Sequence, residues 1–335
     1  MTITSWVLNR ISTDTEEHLI DRNNLSGEVV GGQYENVKIV DALRNMGVDV
    51  KLIRLKDFNI DTITEIPDLV FVRSTSYLDI PKLKVLESKG PVMLNPISCH
   101  VKCSNKWTHL ELLSQAGVRI PTTDLITFSP EKGKKWDWQN GTMYQADLTS
   151  DDTPQSQSDN IKEIELSGKK LGWPLIIKPL WGTGGELVQL CHNVNDFINN
   201  AKKIMTRYNT PMVLAQEFIN HKTKGVISAW MLGKEIYTAQ LRTSKSDTDL
   251  FISNHSKDSF RITYDVTPEL ANLCRKTAEV LDAEITKMDI LYDEKGYMIC
   301  EVNAPGAFTG VDSVLGCDYG KIIAEYGIKR FYEKK

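Results

Sequence analysis

The sequence predicts a mixed fold, α/β in its first part and α+β in the rest, and three observations carry that prediction. Over roughly the first ninety residues, strand, helix, strand and strand signals follow one another, as in a small parallel α/β domain. The C-terminal half is dense in short apolar runs joined by tight turns. A helical pattern after Thr267 interrupts those runs, so helices and strands share the same layers.

The elements justify this in order. Trp6–Leu8 reads as a strand, and Asn36–Met46 as a helix with Val37, Val40 and Leu43 inward and Gly47 as its stop. Val48–Leu55 and Leu69–Val72 are strands. Ser104 is a predicted N-cap, after which Trp107, Leu110 and Leu113 share a face until Gly117 and Pro121 end the helix. The chain then turns polar and irregular, and Thr149–Asn160, without one apolar residue, reads as a mobile surface loop. Pro174–Leu180 is a strand leading into Gly182-Thr183-Gly184-Gly185, and Met212–Ile219 is another. Val226–Leu232 and Glu235–Arg242 form a hairpin through Gly233-Lys234. Thr267 caps a helix with Pro268 at its first position, and Leu270, Leu273, Thr277, Val280 and Leu281 face inward. Ile285–Leu291 and Tyr297–Val302 pair around a turn at Asp293–Gly296. Three segments are therefore expected: 1–97, 98–211 with a polar insertion near 129–170, and 212–335.

Bulk properties exclude several function classes. The chain has 335 residues with 40 basic against 44 acidic side chains, a net of −4, which argues against nucleic-acid binding. No apolar run approaches a membrane span, and the N-terminus MTITSWVLNR has no signal-peptide pattern, so a cytosolic location is expected. The six cysteines are scattered and read as reduced structural thiols. Cys99, His100, Cys103 and His109 do not make a zinc site, because no second ligand pair follows at finger spacing.

Two motifs carry most of the chemistry. In MICEVNAPG, Met298–Gly306, strand alternation puts Met298, Cys300 and Val302 on one face and Ile299, Glu301 and Asn303 on the other. Glu301 and Asn303, with Asp289 from the paired strand, supply the oxygen ligands that nucleotide-bound Mg²⁺ takes. In IIKPLWGTGGELV, Ile176–Val188, a lysine on an apolar strand precedes a Gly-rich turn, as suits phosphate binding. Its spacing fits neither a Walker A nor a dinucleotide-binding fingerprint. Lys287 shares a strand face with Asp289. It is either a cation serving the acceptor carboxylate or a phosphate oxygen, or simply the ion-pair partner of Asp289 or a solvated lysine at the sheet edge.

In this order, Lys106, Lys178 with GTGG, Gln216-Glu217-Phe218-Ile219, the hairpin ending in Arg242, Asp289 and Glu301-x-Asn303 resemble the ATP-grasp superfamily. SNKWTHLELLSQAGVRIPTT and EVNAPG resemble its RimK-like branch of amino-acid ligases, from about Asn95 to the C-terminus and more faintly through PDLVFVRST. The resemblance implies a pre-ATP-grasp α/β domain followed by a two-subdomain ATP-grasp fold. It implies ATP with Mg²⁺, or Mn²⁺ in its place. Lys106 and Lys178 would contact phosphates, and Gly182, Thr183 and Gly185 would close over them. Gln216, Glu217, Phe218 and Ile219 would hold the nucleotide in the linker, the backbone of Glu217 and Ile219 binding adenine. Arg242 would stabilise the transferred phosphoryl group, Asp289, Glu301 and Asn303 would hold the metal, and Arg73 and Asn254 would face the acceptor.

The implied activity joins a small-molecule or peptide carboxylate to an amine through an acyl phosphate, with an amino acid as one substrate. Neither nucleic acid nor membrane is an expected partner, and self-association is left open. The chain departs from the family pattern where an Asp-x-Arg pair is usual, having Val226 and Ser228. It departs again near Asn254, where Ile252 and Asp258-Ser259 stand in place of an Arg and a Gly-Gly pair. Those losses of charge motivate a second reading, a nucleotide-binding pseudoenzyme or regulatory module. The retained metal set argues for the ligase.

Overall fold

The computed structural model describes residues 2–9, 31–73, 78–128, 154–182, 184–219, 225–244 and 259–334. Strand β1 (Thr4–Asn9), helix α1 (Gly31–Asn45), β2 (Asp49–Arg54), β3 (Leu69–Val72), α2 (Ile80–Ser88) and β4 (Val92–Leu94) open the chain. Their strands pair in parallel in the order β2-β1-β3-β4. β3 reads Leu-Val-Phe-Val and is buried throughout, as a central parallel strand with both faces covered must be. α1 starts at Gly31 rather than Asn36, and Gly47, at φ 78°, closes its C-terminal end.

Two helices, α3 (Ile97–Lys102) and α4 (Lys106–Gln115), lead into β5 (Thr123–Thr127), α5 (Pro154–Leu171), β6 (Leu175–Lys178), β7 (Gln189–Cys191), α6 (Val194–Tyr208) and β8 (Met212–Glu217). The four strands form an antiparallel sheet, β5-β8-β6-β7. The expected boundary after 211 cuts this sheet. A turn through Thr210 and Pro211 returns the chain from α6 to the same sheet, where β8 pairs with both β5 and β6.

The polar stretch corrects the prediction in part. Residues 149–153 lie outside the described set, but 154–160 form the first turns of α5 rather than a loop. Proline is pre-organised for a helix start. Asn160, Ile164, Ser167 and Leu171 are buried at helical spacing, so the inward face is half polar and carries no apolar periodicity before Ile161.

The third sheet is built from β9 (Gly225–Leu232), β10 (Glu235–Ser244), β11 (Ser259–Thr263), β12 (Ile285–Asp293) and β13 (Gly296–Asn303), in the order β11-β10-β9-β12-β13. Helix α7 (Pro268–Leu281) covers one face, with Leu270, Cys274, Ala278 and Leu281 packed on Ile227, Ala229, Met288 and Ile290. Thr267 caps α7 as predicted, its hydroxyl accepting from the Leu270 N–H at 3.2 Å. The chain closes with α8 (Thr309–Leu315) and α9 (Tyr319–Lys334). α9 crosses back to the first sheet, where Tyr319, Ile323 and Ala324 join Leu43, Phe71 and Leu94 in one apolar cluster. Gly327 sits against the Phe71 ring, and a Cβ there would lie 2.4 Å from Phe71 Cζ. Among the described residues no helix is long and apolar enough to cross a membrane.

Candidate active site

The face of the third sheet opposite α7 carries the polar residues. Register aligns Glu301 with Asp289, Asp289 with Ser228, and Ser228 with Gln240 across four strands. The neighbouring row runs Asn303, Lys287, Trp230 and Thr238. Because residues two apart share a face, these rows bring Asp289, Glu301, Asn303 and Lys287 together.

The predicted alternation in β13 fails at one point. A bulge at Cys300 shifts the register between Asp289 and Ile290, so Ile299 joins Val302 in the cluster under α7 instead of sharing a face with Glu301. Cys300 is freed to point toward Gln216, its Sγ 4.0 Å from Gln216 Oε1. Burial raises its thiol pKa despite the nearby Lys178.

Asp289 is buried, and both of its oxygens are engaged. Lys287 Nζ lies 2.8 Å from Oδ1 and 2.9 Å from Oδ2, and the Ser228 hydroxyl donates to Oδ1 at 2.7 Å. Burial alone would raise this carboxyl. The Lys287 charge and hydrogen bond, the Arg242 charge and the Ser228 hydroxyl outweigh it and hold Asp289 below the usual carboxylate range. The ion-pair reading of Lys287 is therefore the one the geometry gives.

Glu301 is reached from α4, whose Leu113 packs with the third sheet and α7. Lys106, first residue of α4, places Nζ 3.2 Å from Glu301 Oε1 and donates to the Gly182 carbonyl at 2.7 Å. The cap of α4 is Asn105 rather than Ser104, since Asn105 Oδ1 accepts from the Thr108 N–H at 2.8 Å. Lys178 is buried at the end of β6 and donates to Gln216 Oε1 at 2.9 Å, while Gln216 Nε2 reaches the Thr123 hydroxyl at 2.8 Å. Glu217 ends β8 and accepts from the Thr122 N–H at 2.6 Å, with Phe218 and Ile219 following half-buried. His109 lies buried near both lysines; burial, then their charge, pushes its pKa down to about 3.

In the Gly-rich turn, Gly182 adopts φ 101° and Gly185 φ 76°, backbone conformations that side chains disfavour. Tyr208 stands where a Gly182 Cβ would be, 2.3 Å from its hydroxyl. Thr183 and Asn254 lie outside the described residues.

Arg73 sits apart from this cluster. It follows β3, is buried, and pairs with Glu35 of α1 at 2.8 Å. Glu35 Oε1 in turn accepts from the Phe308 and Thr309 N–H groups, the second at 3.0 Å, so the pair ties the first sheet to the turn after β13. Arg73 Nε and Nη1 have no hydrogen-bond partner among the described residues, and the guanidinium lies over the Phe308 ring at 5.5 Å.

Three neighbours escaped the sequence reading: Glu35, Gln240 and Arg261. Arg261 faces Arg242 across β10 and β11. Its alternation with Phe260 and Ile262 was the available signal. Arg242 and Arg261 are both shifted down by burial, with Asp289 opposing.

The donor set tests the fit of a divalent cation. Two carboxylates and an amide oxygen on paired strands are hard oxygen ligands, which suits Mg²⁺ or Mn²⁺. Among the described residues no group of three His, Cys, Asp or Glu converges as a metal site, so a cation here draws on Asn303 and on substrate phosphates.

Comparison with known proteins agrees with this geometry. The chain is 25% identical over 315 residues, 90% of its length and 95% of the relative's, to the α-aminoadipate–LysW ligase LysX of Sulfurisphaera tokodaii. It is 26% identical over 253 residues, 76% of its length and 72% of the relative's, to a probable α-L-glutamate ligase of Azotobacter vinelandii. Its fold matches D-alanine–D-alanine ligase from Bacillus anthracis in complex with ATP, at TM-score 0.66 and 12% identity over 100% of both chains. It also matches a RimK domain ATP-grasp protein from Sphaerobacter thermophilus, at TM-score 0.61 and 14% identity over 97% of this chain and 99% of the other. The model of the RimK-like ATP-grasp domain matches residues 144–326, from the polar stretch before α5 through β12 and β13 into α9. With more than half its length in that match and Lys106 paired with Glu301 beside the cleft, this chain belongs to the RimK-like ATP-grasp family.

Proposed function

We propose that this chain is an ATP- and Mg²⁺-dependent ligase that joins a carboxylate to an amine, with an amino acid as one substrate. The observation that carries the reading is the cross-strand pairing of Asp289 with Glu301, with the buried Lys106 paired to Glu301 and the buried Lys178 at the end of β6. The names of the relatives support the chemistry, one joining α-aminoadipate to LysW and another ligating glutamate. Six unpaired cysteines fit a reducing compartment, and the cytosol is the proposed location.

A carboxylate is a poor electrophile and must first be activated. A carboxylate oxygen of the acid attacks the γ-phosphorus of ATP, the bond to ADP breaks, and an acyl phosphate forms. The amine lone pair then attacks the acyl carbon, the bond to phosphate breaks, and the amide is released with phosphate and a proton. Asp289, Glu301 and Asn303 would hold Mg²⁺ or Mn²⁺, which when bound would supply positive charge to the phosphate groups.

The chain's own groups bind, orient and exclude water. Lys106 and Lys178 take phosphate oxygens in exchange for Glu301 and Gln216. Gln216, Glu217, Phe218 and Ile219 hold the base, and the turn at Gly182, Thr183 and Gly185 covers the phosphates, keeping water from the acyl phosphate. Arg242 balances charge on the transferred group, and Lys287 keeps Asp289 ionised and oriented. Arg73 and Asn254 face the acid, which is a small molecule or a peptide. The Nε and Nη1 of Arg73, which lack hydrogen-bond partners among the described residues, support that role.

The test is a screen of amino-acid pairs for ADP release. ADP release that needs both an acid and an amine, with a product one water lighter than their sum, is the expected result. ADP release indifferent to amine throughout the screen would replace amide formation with simple phosphotransfer, and ATP binding with no ADP release would leave a nucleotide-binding module.

A further inference from the structure

A cation already sits on Asp289. Lys287 Nζ lies 2.8 Å from Oδ1 and 2.9 Å from Oδ2, so the ammonium bridges both oxygens of the carboxylate. The Ser228 hydroxyl takes a further site on Oδ1 at 2.7 Å. A carboxylate offers about four lone-pair sites, and these contacts leave roughly one, on Oδ2. Glu301 is capped differently. Lys106 touches one of its oxygens at 3.2 Å and shares its ammonium with the Gly182 carbonyl. The Glu301 side chain is 26% exposed against 12% for Asp289. Of the two carboxylates, one is open to an entering ion and the other is closed.

The surroundings of Lys287 are built for it. Its side chain is 13% exposed, and a lysine so buried needs a charged partner. The ammonium also lies 6.0 Å from the centre of the Trp230 ring, within the range of cation–π attraction. Trp230 is fixed in turn by its indole N–H, which donates to the Ala307 carbonyl at 2.8 Å. The turn after β13 packs on the root of the lysine. A Cβ on Gly306 would lie 2.4 Å from Lys287 Cβ and 2.5 Å from its backbone nitrogen.

We propose that Lys287 is a resident cation that competes with divalent metal for Asp289, so that a metal ion gains this carboxylate only by displacing the ammonium. The inference rests on the reading of Asp289 as a metal ligand. An ammonium and a divalent ion on one buried carboxylate repel each other strongly, because little solvent screens them. With neither cation present, Asp289 would be an uncompensated buried charge. Lys287 therefore keeps the empty site intact while lowering its affinity for metal, and Glu301 with Asn303 offers an entering ion its first ligands.

Titration of the full chain with Mn²⁺, followed by the electron paramagnetic resonance of the free ion, tests this. Lys287→Met should bind Mn²⁺ at least about tenfold more tightly than the wild type, since a buried carboxylate without its partner gains most from a new cation. A lysine that merely kept the ligands in shape would give the opposite sign. Lys287→Arg restores the charge and should lose most of the gain. In Lys287→Met combined with Asp289→Asn the gain should vanish, because it acts through the carboxylate. If Lys287→Met folds poorly alone, Mn²⁺ should raise its thermal midpoint more than that of the wild type. Equal or weaker Mn²⁺ binding by Lys287→Met, no larger rise in its midpoint, or a gain that survives in the double variant overturns the proposal. Glu301→Gln keeps the two readings apart. Its loss of Mn²⁺ binding would uphold the metal site even where the competition fails, and no Mn²⁺ binding by any of these proteins would overturn both.

Discussion

Asn95 and Ile285 are joined like neighbouring strands although one of them acts through its side chain. Asn95 Nδ2 donates to the Ile285 carbonyl at 2.8 Å, and Asn95 Oδ1 accepts from the Ile285 N–H at 2.6 Å. The amide is fully buried and joins the end of the first sheet to the start of β12. Asn95→Ala strands a buried donor and acceptor, so a loss of about 1–3 kcal/mol is expected. Urea unfolding followed by circular dichroism measures it, and an unchanged midpoint would show that water replaces the amide at no cost.

Glu301→Gln keeps the shape of the side chain and removes one charge from the oxygen set. Turnover should fall at least about 100-fold while the fold persists, because a metal ligand matters more than the outer-shell groups whose loss costs 10–100-fold. ADP release and the thermal midpoint are the two readouts. A folded variant working near the normal rate would remove Glu301 from the metal assignment.

Stability should also depend on pH through buried histidines. His109 titrates near 6.5 when unfolded and at about 3 in the fold, and His100 is pushed down to about 4, burial being the main cause in both. Between those values the unfolded chain binds protons that the folded chain refuses. Stability is therefore complete above pH 6.5 and falls as pH drops below it. Each histidine contributes a slope approaching about 1.4 kcal/mol per pH unit. His109→Gln should flatten the decline between about pH 6 and 5 by that amount, as read from urea midpoints. A slope equal to that of the wild type would mean that His109 accepts a proton in the fold.

The parts of the fold that were legible in the sequence are those set by local chemistry. Gly233-Lys234 announces the β9–β10 hairpin, Thr267-Pro268 announces α7, and the alternation around Asp289 and Glu301 brings the oxygen set together. What stayed hidden was set by distant partners. The bulge at Cys300 depends on how β12 pairs, so no pattern in MICEVN could place Ile299 in the core. Asn160 and Ser167 are inward-facing polar residues, which erased the periodicity of α5. Arg261 lies on β11, a strand between Arg242 and Thr267 that the sequence pattern did not announce, and only register sets it against Arg242.

The return of α9 to the first sheet has a mechanical consequence. The cluster it completes runs without a break from Leu43 and Phe71 to Trp230, Ile285 and Phe308, so the outer two sheets are welded by apolar packing. The cluster of the middle sheet, by contrast, contains only residues between Ile126 and Ala215. Across the cleft it meets the rest through polar links such as Lys106 to Gly182 and Cys300 to Gln216. Such links exchange readily with water and ligand, whereas shared cores do not. The middle sheet is thus the jaw that can swing, and the other two form the anvil on which Asp289 and Glu301 keep a fixed separation.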